Sequence, residues 1–209
     1  MAKIEVFEKN ADIYDDWFDS HEFVYRSELK AIKRQLPPGK TGIEIGIGSG
    51  RFAVPLGIRF GLEPSRKMMK IAQQRGVAVV AGIAEALPFR DCEFDVALMV
   101  TVICFVDNLK TSLEEAFRIL KPGACLLLGF VDRDSPIGEN YSKYRSNSRF
   151  YQSATFRSVA EVVSLLRSIG FGELTFCQTI FKALSEINKI ESVMAGYGEG
   201  SFVVIKAIR

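Results

Sequence analysis

The sequence predicts an α/β fold in which helices cover both faces of a mostly parallel sheet, a doubly wound, three-layer α/β/α arrangement. Two observations carry this prediction. Short apolar, β-rich runs alternate with segments of helical period from residue 41 to the final SFVVIKAI. A glycine-rich turn also follows the first of these runs and precedes a helical segment. Counting the apolar runs gives a seven-stranded sheet.

Length and composition indicate one domain spanning residues 1–209, because a chain of 209 residues that is 48% hydrophobic can bury one sizeable core. The formal charge of +2 gives no reason to expect nucleic acid or an anionic membrane as a partner. No apolar run approaches the roughly 20 residues of a membrane span, and the first residues lack the apolar centre of a signal peptide. We expect a cytoplasmic protein, and the choice between monomer and dimer stays open.

The cysteine and histidine content argues against a metal site. The four cysteines, at 92, 104, 125 and 177, form no C-x-x-C pair, and three of them lie in or beside strand-like runs. We expect small buried hydrophobic residues rather than disulfides or metal ligands. His21 is the only histidine, which leaves no second imidazole for a site and predicts an exposed or loosely packed side chain.

The segment TGIEIGIGSGRF, residues 41–52, predicts a nucleotide cradle. Its isoleucines indicate a buried strand, and the strand breaks into a turn at Gly46, Gly48 and Gly50. Glycine lets a turn pass close to a ligand because no Cβ intervenes. The helix that follows would point free backbone N–H groups at the bound molecule.

Two details bear on which nucleotide is bound. A dinucleotide fingerprint has the spacing G-x-G-x-x-G, but here the third position falls on Arg51, and a glycine comes one residue early. Glu44, two residues before the first glycine, brings a negative charge, which suits a cation better than a pyrophosphate. S-Adenosylmethionine carries a sulfonium and an ammonium group and no phosphate, so it fits the pattern better than NAD.

The motif EIGIGSG, residues 44–50, resembles the first motif of the class I S-adenosylmethionine-dependent methyltransferases. The resemblance implies a Rossmann-like sheet with strand order 3-2-1-4-5-7-6 and an antiparallel last strand. It also implies S-adenosyl-L-methionine as the cofactor. The turn residues that it assigns to cofactor binding are Glu44, Gly46, Ile47, Gly48 and Gly50.

A second motif follows the predicted second strand, Ile58 to Leu62. Glu63 ends that strand, and the resemblance gives its carboxylate to both ribose hydroxyls, although a charge at a helix N-terminus would also be stabilised there. The EPSRKMM segment resembles the family pattern acid-x-S-x-x-M. It implies that Pro64 lies beside the ribose and Met68 under the adenine.

The segment AEALPF, residues 84–89, resembles the third motif of the ubiquinone- and menaquinone-type methyltransferases, G-D-A-E-x-L-P-F. Ile83 stands where that motif has aspartate, which leaves the Ala84 backbone and the Glu85 side chain to recognise the adenine. The apolar run from Phe94 to Val106 predicts the fourth strand and the loop after it. Because ligands bind beyond the carboxyl ends of central strands, we expect Thr101 to Cys104 to approach the transferred methyl group.

The N-terminal residues 1–39 predict a helical cap, with two helices between residues 10 and 36. Such helices can simply cover the sheet edge. The YDDWF segment, residues 14–18, resembles the stretch that related methyltransferases place as a lid over the methionine end of the cofactor. Tyr14 is the candidate because ring faces attract a sulfonium cation.

Residues 132–154 are polar and aromatic, without a clear period, and are longer than the about 2–6 residues that a strand-to-helix connection needs. We expect a substrate-side insertion, with Tyr141, Tyr144 and Arg149 as candidates for binding an aromatic or weakly anionic molecule. A solvated loop whose aromatic residues cover the core is the alternative. A capping box at Ser158 and Glu161 then begins the next helix.

These observations predict an enzyme that transfers a methyl group to a small molecule. No catalytic side chain is nominated, because the sulfonium is already a good leaving group and alignment is the main requirement. The alternatives are a non-catalytic protein that binds S-adenosylmethionine, with a regulatory role, and an NAD-type oxidoreductase. The acceptor atom stays open, since fold does not determine it. The absence of an N-P-P-Y or D-P-P-Y motif disfavours adenine and glutamine amino groups.

Overall fold

The computed structural model describes residues 2–209, with side chains from Ile4 onwards. Within that range one eight-stranded sheet is covered by eight α-helices. The strands are β1 (Gly42–Ile45), β2 (Phe60–Glu63), β3 (Ala78–Ala81), β4 (Phe94–Val100), β5 (Leu120–Val131), β6 (Leu174–Thr179), β7 (Met194–Ala195) and β8 (Phe202–Ile208). The helices are α1 (Ala2–Lys9), α2 (Ala11–Ser20), α3 (Glu22–Gln35), α4 (Ala53–Leu56), α5 (Arg66–Gln74), α6 (Leu109–Ile119), α7 (Pro136–Tyr144) and α8 (Val159–Ile169).

The sheet has the order β3-β2-β1-β4-β5-β8-β6-β7. Strands β1 to β5 pair in parallel, with Ile43 opposite Phe60 on one side and Ala97 on the other. Strand β8 runs antiparallel to both β5 and β6. The predicted α/β class and antiparallel last strand are confirmed. The predicted count of seven is short by β7, a two-residue edge strand that is too brief for any period in the sequence.

Helices lie on both faces of the sheet and give two apolar cores. On one face α6 and α8 pack Leu113, Ala116 and Val162 against the sheet. On the other face α3 and α5 contribute Ile32 and Ala72. Strand β4 is buried along nearly its whole length and β5 from Ala124 to Phe130, which is why these stretches are continuous apolar runs rather than alternating ones.

Local capping fixes where several helices begin. The Ser65 hydroxyl accepts a hydrogen bond from the Met68 N–H at the start of α5. The predicted capping box of Ser158 and Glu161 is present at the start of α8. The helix after the glycine turn is the single turn α4, which ends at Gly57 in a left-handed conformation with φ 72°.

The N-terminal cap contains one helix more than the sequence predicted. The two helices expected between residues 10 and 36 are α2 and α3. Helix α1 precedes them, and its Glu8 carboxylate accepts hydrogen bonds from the Ser65 hydroxyl at 2.6 Å and the Lys67 N–H at 3.2 Å. Because the contacting residues are far apart in the chain, no local sequence pattern predicts this contact.

The segment 132–154, expected to lack regular structure, contains α7 and a short 3₁₀ turn, Arg145–Asn147. Ser135 caps α7 by accepting a hydrogen bond from the Gly138 N–H at 3.1 Å. The sequence of α7 is mostly polar, so its buried residues, Ile137 and Gly138, produce no clear helical period. At Gly138 the helix approaches the preceding backbone so closely that a Cβ would lie 2.0 Å from the Asp132 carbonyl oxygen.

The cysteines and His21 partly follow the expectations. Cys125 and Cys177 are buried and Cys104 is half-buried, whereas Cys92 is exposed, which the expectation of burial does not fit. All four are free thiols. The His21 ring is half-buried and stacks on Trp17 with ring centroids 4.6 Å apart. In residues 2–209 there is no cluster of three or more candidate metal ligands, and no helix is long and apolar enough to cross a bilayer.

The close approach of α7 predicts that Gly138→Ala is destabilising. Alanine normally favours a helix, but here the added methyl overlaps backbone atoms that cannot rotate away. We expect the free energy of unfolding, measured by urea denaturation, to fall by about 1–3 kcal/mol. The control is Gly172→Ala, whose Cβ would meet only the Ile208 carbonyl oxygen at 3.8 Å and should change stability by about 0.5 kcal/mol or less. Equal effects of the two substitutions would contradict the packing argument.

Candidate active site

Two adjoining cavities lie beyond the carboxyl ends of β1, β2 and β4, under the N-terminal helices. The glycine-turn cavity is bounded by Gly46, Gly48, Glu63, Met68, Glu85 and Thr101, among others. The aromatic cavity, of about 520 Å³, is bounded by Trp17, Glu28, Tyr141, Tyr144, Phe150 and Tyr151, among others. Tyr14, Thr101 and Phe105 belong to both walls, so the cavities meet there.

The glycine turn is held against β2 by two hydrogen bonds. The N–H groups of Gly46 and Ile47 both donate to the Leu62 carbonyl, at 2.8 and 3.0 Å. Gly46 has φ +70°, and a Cβ there would lie 2.4 Å from Val102. Gly48 has φ +55° and faces Tyr14, whose ring would lie 3.8 Å from a Cβ at this position. A side chain at Gly48 would therefore fill space between the turn and α2.

Glu63 ties the turn to the start of α5. One carboxylate oxygen accepts from the Gly48 N–H at 2.8 Å, and the other accepts from the Ser65 N–H at 2.9 Å. Burial raises the pKa of Glu63 to about 7, and the two backbone N–H groups oppose that rise. Each carboxylate oxygen has a second lone pair, so the group can still accept hydrogen bonds from a ligand.

Glu44 lies below the turn rather than on the cavity wall. It is 1% exposed, and its Oε2 atom has no hydrogen-bond partner among the described residues. Burial raises the pKa of this carboxyl well above its usual range, although the Ala53 backbone N–H opposes the shift. Burial therefore disfavours the charged form of Glu44.

Glu85 organises the loop that closes the cavity on the β4 side. Its Oε1 atom accepts from the backbone N–H groups of Asp107 at 2.7 Å and Asn108 at 3.1 Å, at the start of α6. Asp107 also lines the glycine-turn cavity. Every charged side chain on the described part of that wall is acidic, namely Glu63, Glu85 and Asp107.

Thr101 and Tyr14 form the junction between the cavities. Thr101 follows β4 in a left-handed conformation with φ 54°, rare for a β-branched residue, and its N–H donates to the Gly129 carbonyl at 2.7 Å. Burial raises the pKa of Tyr14 far above its usual range, and the neighbouring Thr101 side chain opposes that rise. Phe7 of α1 packs edge-on against Tyr14 at 5.4 Å and against Phe105 at 4.8 Å.

An ionic network fixes α2 over the glycine turn. The Asp15 carboxylate pairs with Arg51 at 2.9 Å and with Arg75 at 2.6 Å, and Arg51 also pairs with Asp19 at 2.7 Å. Arg75 donates in addition to the Ser49 carbonyl at 2.7 Å. Burial would raise the pKa of Asp15, but the hydrogen bonds from Arg75 and Arg51 outweigh it and hold that pKa well below its usual range.

The aromatic cavity contains one charged side chain on its described wall, Glu28 of α3. Glu28 is 6% exposed, and burial raises the pKa of its carboxyl to about 8. It lies on the inner stripe of α3 with Val24, Ala31 and Ile32. A carboxylate at a core position of an amphipathic helix was the sequence signal for this residue, and the sequence analysis missed it.

Comparisons with known proteins identify the family. A family model described as a methyltransferase domain matches residues 43–128. A crystal structure from Thermotoga maritima, described as an S-adenosylmethionine-dependent methyltransferase and possible histamine N-methyltransferase, is 51% identical. The match covers 98% of each chain with a TM-score of 0.96. The chain belongs to the S-adenosylmethionine-dependent methyltransferases.

Two further relatives are less similar to this chain than the Thermotoga maritima protein. An uncharacterised protein of Methanocaldococcus jannaschii is 46% identical over 204 residues, which is 98% of both chains. A 2-phytyl-1,4-naphtoquinone methyltransferase of Trichormus variabilis is 30% identical over 138 residues, 57% of this chain and 60% of the relative. The family assignment replaces the NAD-type oxidoreductase that the sequence left open.

The glycine-turn cavity fits the cofactor of the family. Among the described residues no lysine or arginine lines it, and its charged groups are carboxylates. A phosphate-bearing nucleotide would require cations or free N–H groups there, whereas a nucleoside with a sulfonium and an ammonium group does not. The open space beside Gly48 is the second point of agreement.

The structure brings most of the predicted cofactor residues to one wall and leaves three behind it. Those on the wall of the glycine-turn cavity are Tyr14, Gly46, Gly48, Glu63, Pro64, Met68, Ala84, Glu85 and Thr101. Glu44, Ile47 and Gly50 are buried behind the turn. Sequence reasoning missed the wall residues Phe7, Phe105 and Asp107.

The three predicted acceptor residues also separate. Tyr141 and Tyr144 line the aromatic cavity, and Tyr144 is 50% exposed, at its mouth. Arg149 does not line it. Its guanidinium is exposed and donates to the Asn10 side-chain oxygen at 3.2 Å.

The buried Glu28 predicts a pH-dependent stability difference between the wild type and Glu28→Gln. The pKa of Glu28 rises from 4.5 to about 8 on folding, so wild-type stability falls as the pH rises through that window, while glutamine does not titrate. The variant should therefore gain roughly 3–5 kcal/mol relative to wild type between acid and alkaline pH. Urea denaturation at a series of pH values measures this difference.

Other buried carboxyls do not obscure that result, because Glu44 and Glu63 titrate alike in both proteins and cancel in the difference. The matched control is Glu22→Gln on the same helix, whose exposed carboxylate pairs with Arg26 at 2.9 Å. A Glu28→Gln difference that stays constant with pH would show that Glu28 is not held neutral by burial.

Proposed function

We propose that this methyltransferase binds S-adenosylmethionine in the glycine-turn cavity and methylates a small molecule held in the aromatic cavity. The observation that carries the proposal is the junction of the two cavities at Tyr14, Thr101 and Phe105. A donor in one cavity and an acceptor in the other would meet at that junction. Transfer by direct displacement needs this adjacency.

The cofactor assignments follow from the wall that each residue occupies. Glu63 would accept hydrogen bonds from the ribose hydroxyls, and Gly46 and Gly48 would leave room for the cofactor to approach the turn. Pro64, Met68, Ala84 and Glu85 would enclose the nucleoside. Tyr14 would face the sulfonium, whose charge its ring would stabilise. Glu44, Ile47 and Gly50 act on the cofactor only through the shape of the turn that they support.

The protein's part in the chemistry is alignment and the exclusion of water. When bound, S-adenosylmethionine supplies a methyl group on a positively charged sulfur. Tyr14, Thr101 and Phe105 would hold the acceptor in line with that methyl group, so that a lone pair of the acceptor could displace the sulfur. The aromatic side chains around Tyr14 and Phe105 keep water from the junction.

A small molecule fits the acceptor side better than a macromolecule. A volume of about 520 Å³ falls within the roughly 300–1,000 Å³ of small-ligand pockets. Residues 132–154 supply Tyr141, Tyr144, Phe150 and Tyr151 to its wall. We infer that this segment is the acceptor side of a single domain, and that Arg149 holds it to the N-terminal cap through Asn10.

The finer resemblance to the ubiquinone- and menaquinone-type enzymes concerns the cofactor half. The AEALPF segment supports it, as does the similarity to the cyanobacterial naphthoquinone methyltransferase over 57% of this chain. We propose that this kinship describes how the nucleoside is held. It does not extend to the acceptor, because the segment lines the glycine-turn cavity and not the aromatic one.

Substitution of Glu63 tests the cofactor assignment. Glu63→Gln keeps the side chain's size but loses its charge and one acceptor, so the variant loses the equivalent of one charge-assisted hydrogen bond to the ribose, about 1.5–3 kcal/mol. We expect affinity for S-adenosylhomocysteine, measured by calorimetry, to fall by about ten- to a hundredfold. The control is Glu173→Gln, at an exposed carboxylate remote from both cavities.

Because Glu63 also bonds to Gly48 and Ser65, a thermal melt of each variant must accompany the binding data. Unchanged affinity in a folded Glu63→Gln protein would contradict the assignment of the ribose to this residue.

Label transfer tests the acceptor class. The protein is incubated with S-adenosylmethionine carrying a labelled methyl group and a metabolite extract, and separately with total protein and total nucleic acid. We expect label in the small-molecule fraction alone. The panel of single compounds should include histamine and a naphthoquinone, since the names of two relatives contain these acceptors. Label confined to the macromolecular fractions, or label in none, would contradict a small-molecule acceptor.

A further inference from the structure

Glu28 occupies a position that core packing alone does not explain. It projects from α3 into the aromatic cavity and is 6% exposed. The other buried residues of α3 are Val24, Ser27, Ala31 and Ile32, and the hydroxyl of Ser27, the one polar residue among them, donates a hydrogen bond to the Phe23 carbonyl at 2.6 Å. A lone carboxyl among such residues destabilises the fold unless it is paired or neutral. Burial favours the neutral form of Glu28, and its place on the cavity wall is the observation that points to a bound ligand.

The described part of the protein leaves this carboxyl unsatisfied. Burial alone raises the pKa of its carboxyl, with no contribution from a hydrogen bond or a charged neighbour. The tyrosines 14, 141 and 151 lie near enough for the Glu28 charge to raise their own pKa values. These phenols stay neutral at physiological pH and cannot act as its counter-ion.

The rest of the cavity wall favours a cation over an anion. Apart from Glu28, its described residues are uncharged, and most are aromatic or apolar. Ring faces such as those of Trp17, Tyr141 and Phe150 attract cations. Two cations of the neighbouring segment have other partners, since Arg149 donates to Asn10 and Lys143 lies over the exposed Tyr144 ring at 5.3 Å.

We propose that Glu28 is the acceptor-binding carboxylate of this methyltransferase and that it holds the basic nitrogen of a small amine with an aromatic or apolar body. The inference rests on the proposed function, because it assigns the acceptor to the aromatic cavity. The amine nitrogen pairs with Glu28, and the body of the molecule packs among the rings. The junction at Tyr14 and Thr101 then lies within the same cavity as the bound amine.

The protonation of Glu28 provides a second test of the proposal, the release of a proton when the ligand binds. With a pKa of about 8, the carboxyl is mostly protonated at neutral pH, whereas a simple amine is protonated as ammonium. Binding of the ammonium form stabilises the carboxylate and so releases a proton to solvent. A neutral ligand of the same shape releases none.

The protein's intrinsic fluorescence can follow ligand binding in the aromatic cavity. Trp17 is the only tryptophan and lines the aromatic cavity, so its fluorescence reports on occupancy of that cavity. The probes are phenethylamine and benzylamine, each compared with the alcohol of the same carbon skeleton, 2-phenylethanol and benzyl alcohol. Titrations are made on the full chain saturated with S-adenosylhomocysteine.

We expect both amines to bind wild type in the millimolar range or tighter, and at least about tenfold more tightly than their alcohols. In Glu28→Gln the amine preference should fall to near one, while affinity for S-adenosylhomocysteine stays unchanged. Calorimetry of amine binding in buffers of different ionisation enthalpy should show proton release in wild type and none in the variant. The control Glu22→Gln removes one carboxylate from the exposed face of the same helix and should behave as wild type.

Each contrary outcome identifies what failed. Alcohols that bind as tightly as amines, or an amine preference that survives Glu28→Gln in a folded protein, would overturn the role of Glu28. So would amines that leave Trp17 fluorescence unchanged throughout the millimolar range with S-adenosylhomocysteine bound. Failure to bind S-adenosylhomocysteine at all would instead overturn the proposed function, and the present inference with it.

Discussion

The Asp15 carboxylate, shared between Arg51 and Arg75, is the interaction on which the arrangement of both cavities depends. Arg51 belongs to the glycine turn and Arg75 follows α5, so a single side chain of α2 joins the cap to two separate parts of the sheet domain. The rings of Tyr14 and Trp17 lie on the same helix and form walls of the cavities. Because this ion pair is largely buried, it is screened less by salt than an exposed pair. Loss of the Asp15 ion pairs would detach α2 from the two cavities before it disturbed the sheet.

The parts of the fold that could be predicted from the sequence are those determined by local patterns. Buried central strands gave continuous apolar runs, and Ser158 with Glu161 marked a helix start within four residues. The features that were missed depend on contacts distant in the chain. Helix α1 is held by Glu8 on Ser65, and α7 is held by packing of Gly138 on Asp132, so neither produces a strong period. Strand β7 has two residues and exists only through its pairing with β6.

The residues of the candidate site also fall into two groups, those that a local sequence pattern identifies and those that tertiary packing brings to the cavities. Motif residues such as Gly46, Gly48 and Glu63 could be predicted because a backbone turn and a strand end impose them locally. Phe7 and Phe105 reach the glycine-turn cavity through tertiary packing, which the sequence does not display. Glu28 was overlooked because its spacing matched the apolar stripe of α3, so the helical period concealed the chemical exception. A polar residue at a position that the helical period assigns to the buried face is a stronger indication of a functional site than a polar residue outside that period.

The two cavities share only a narrow boundary at Tyr14, Thr101 and Phe105 among the described residues, and this makes the molecule modular for engineering. The glycine-turn cavity rests on β1, β2 and the loops that follow them, whereas much of the wall of the aromatic cavity comes from α7 and the segment after it. Ile137 and Tyr141 of α7 line the aromatic cavity and not the glycine-turn cavity. Under the proposed function, directed evolution of α7 should change the range of accepted molecules and leave the cofactor cavity unchanged.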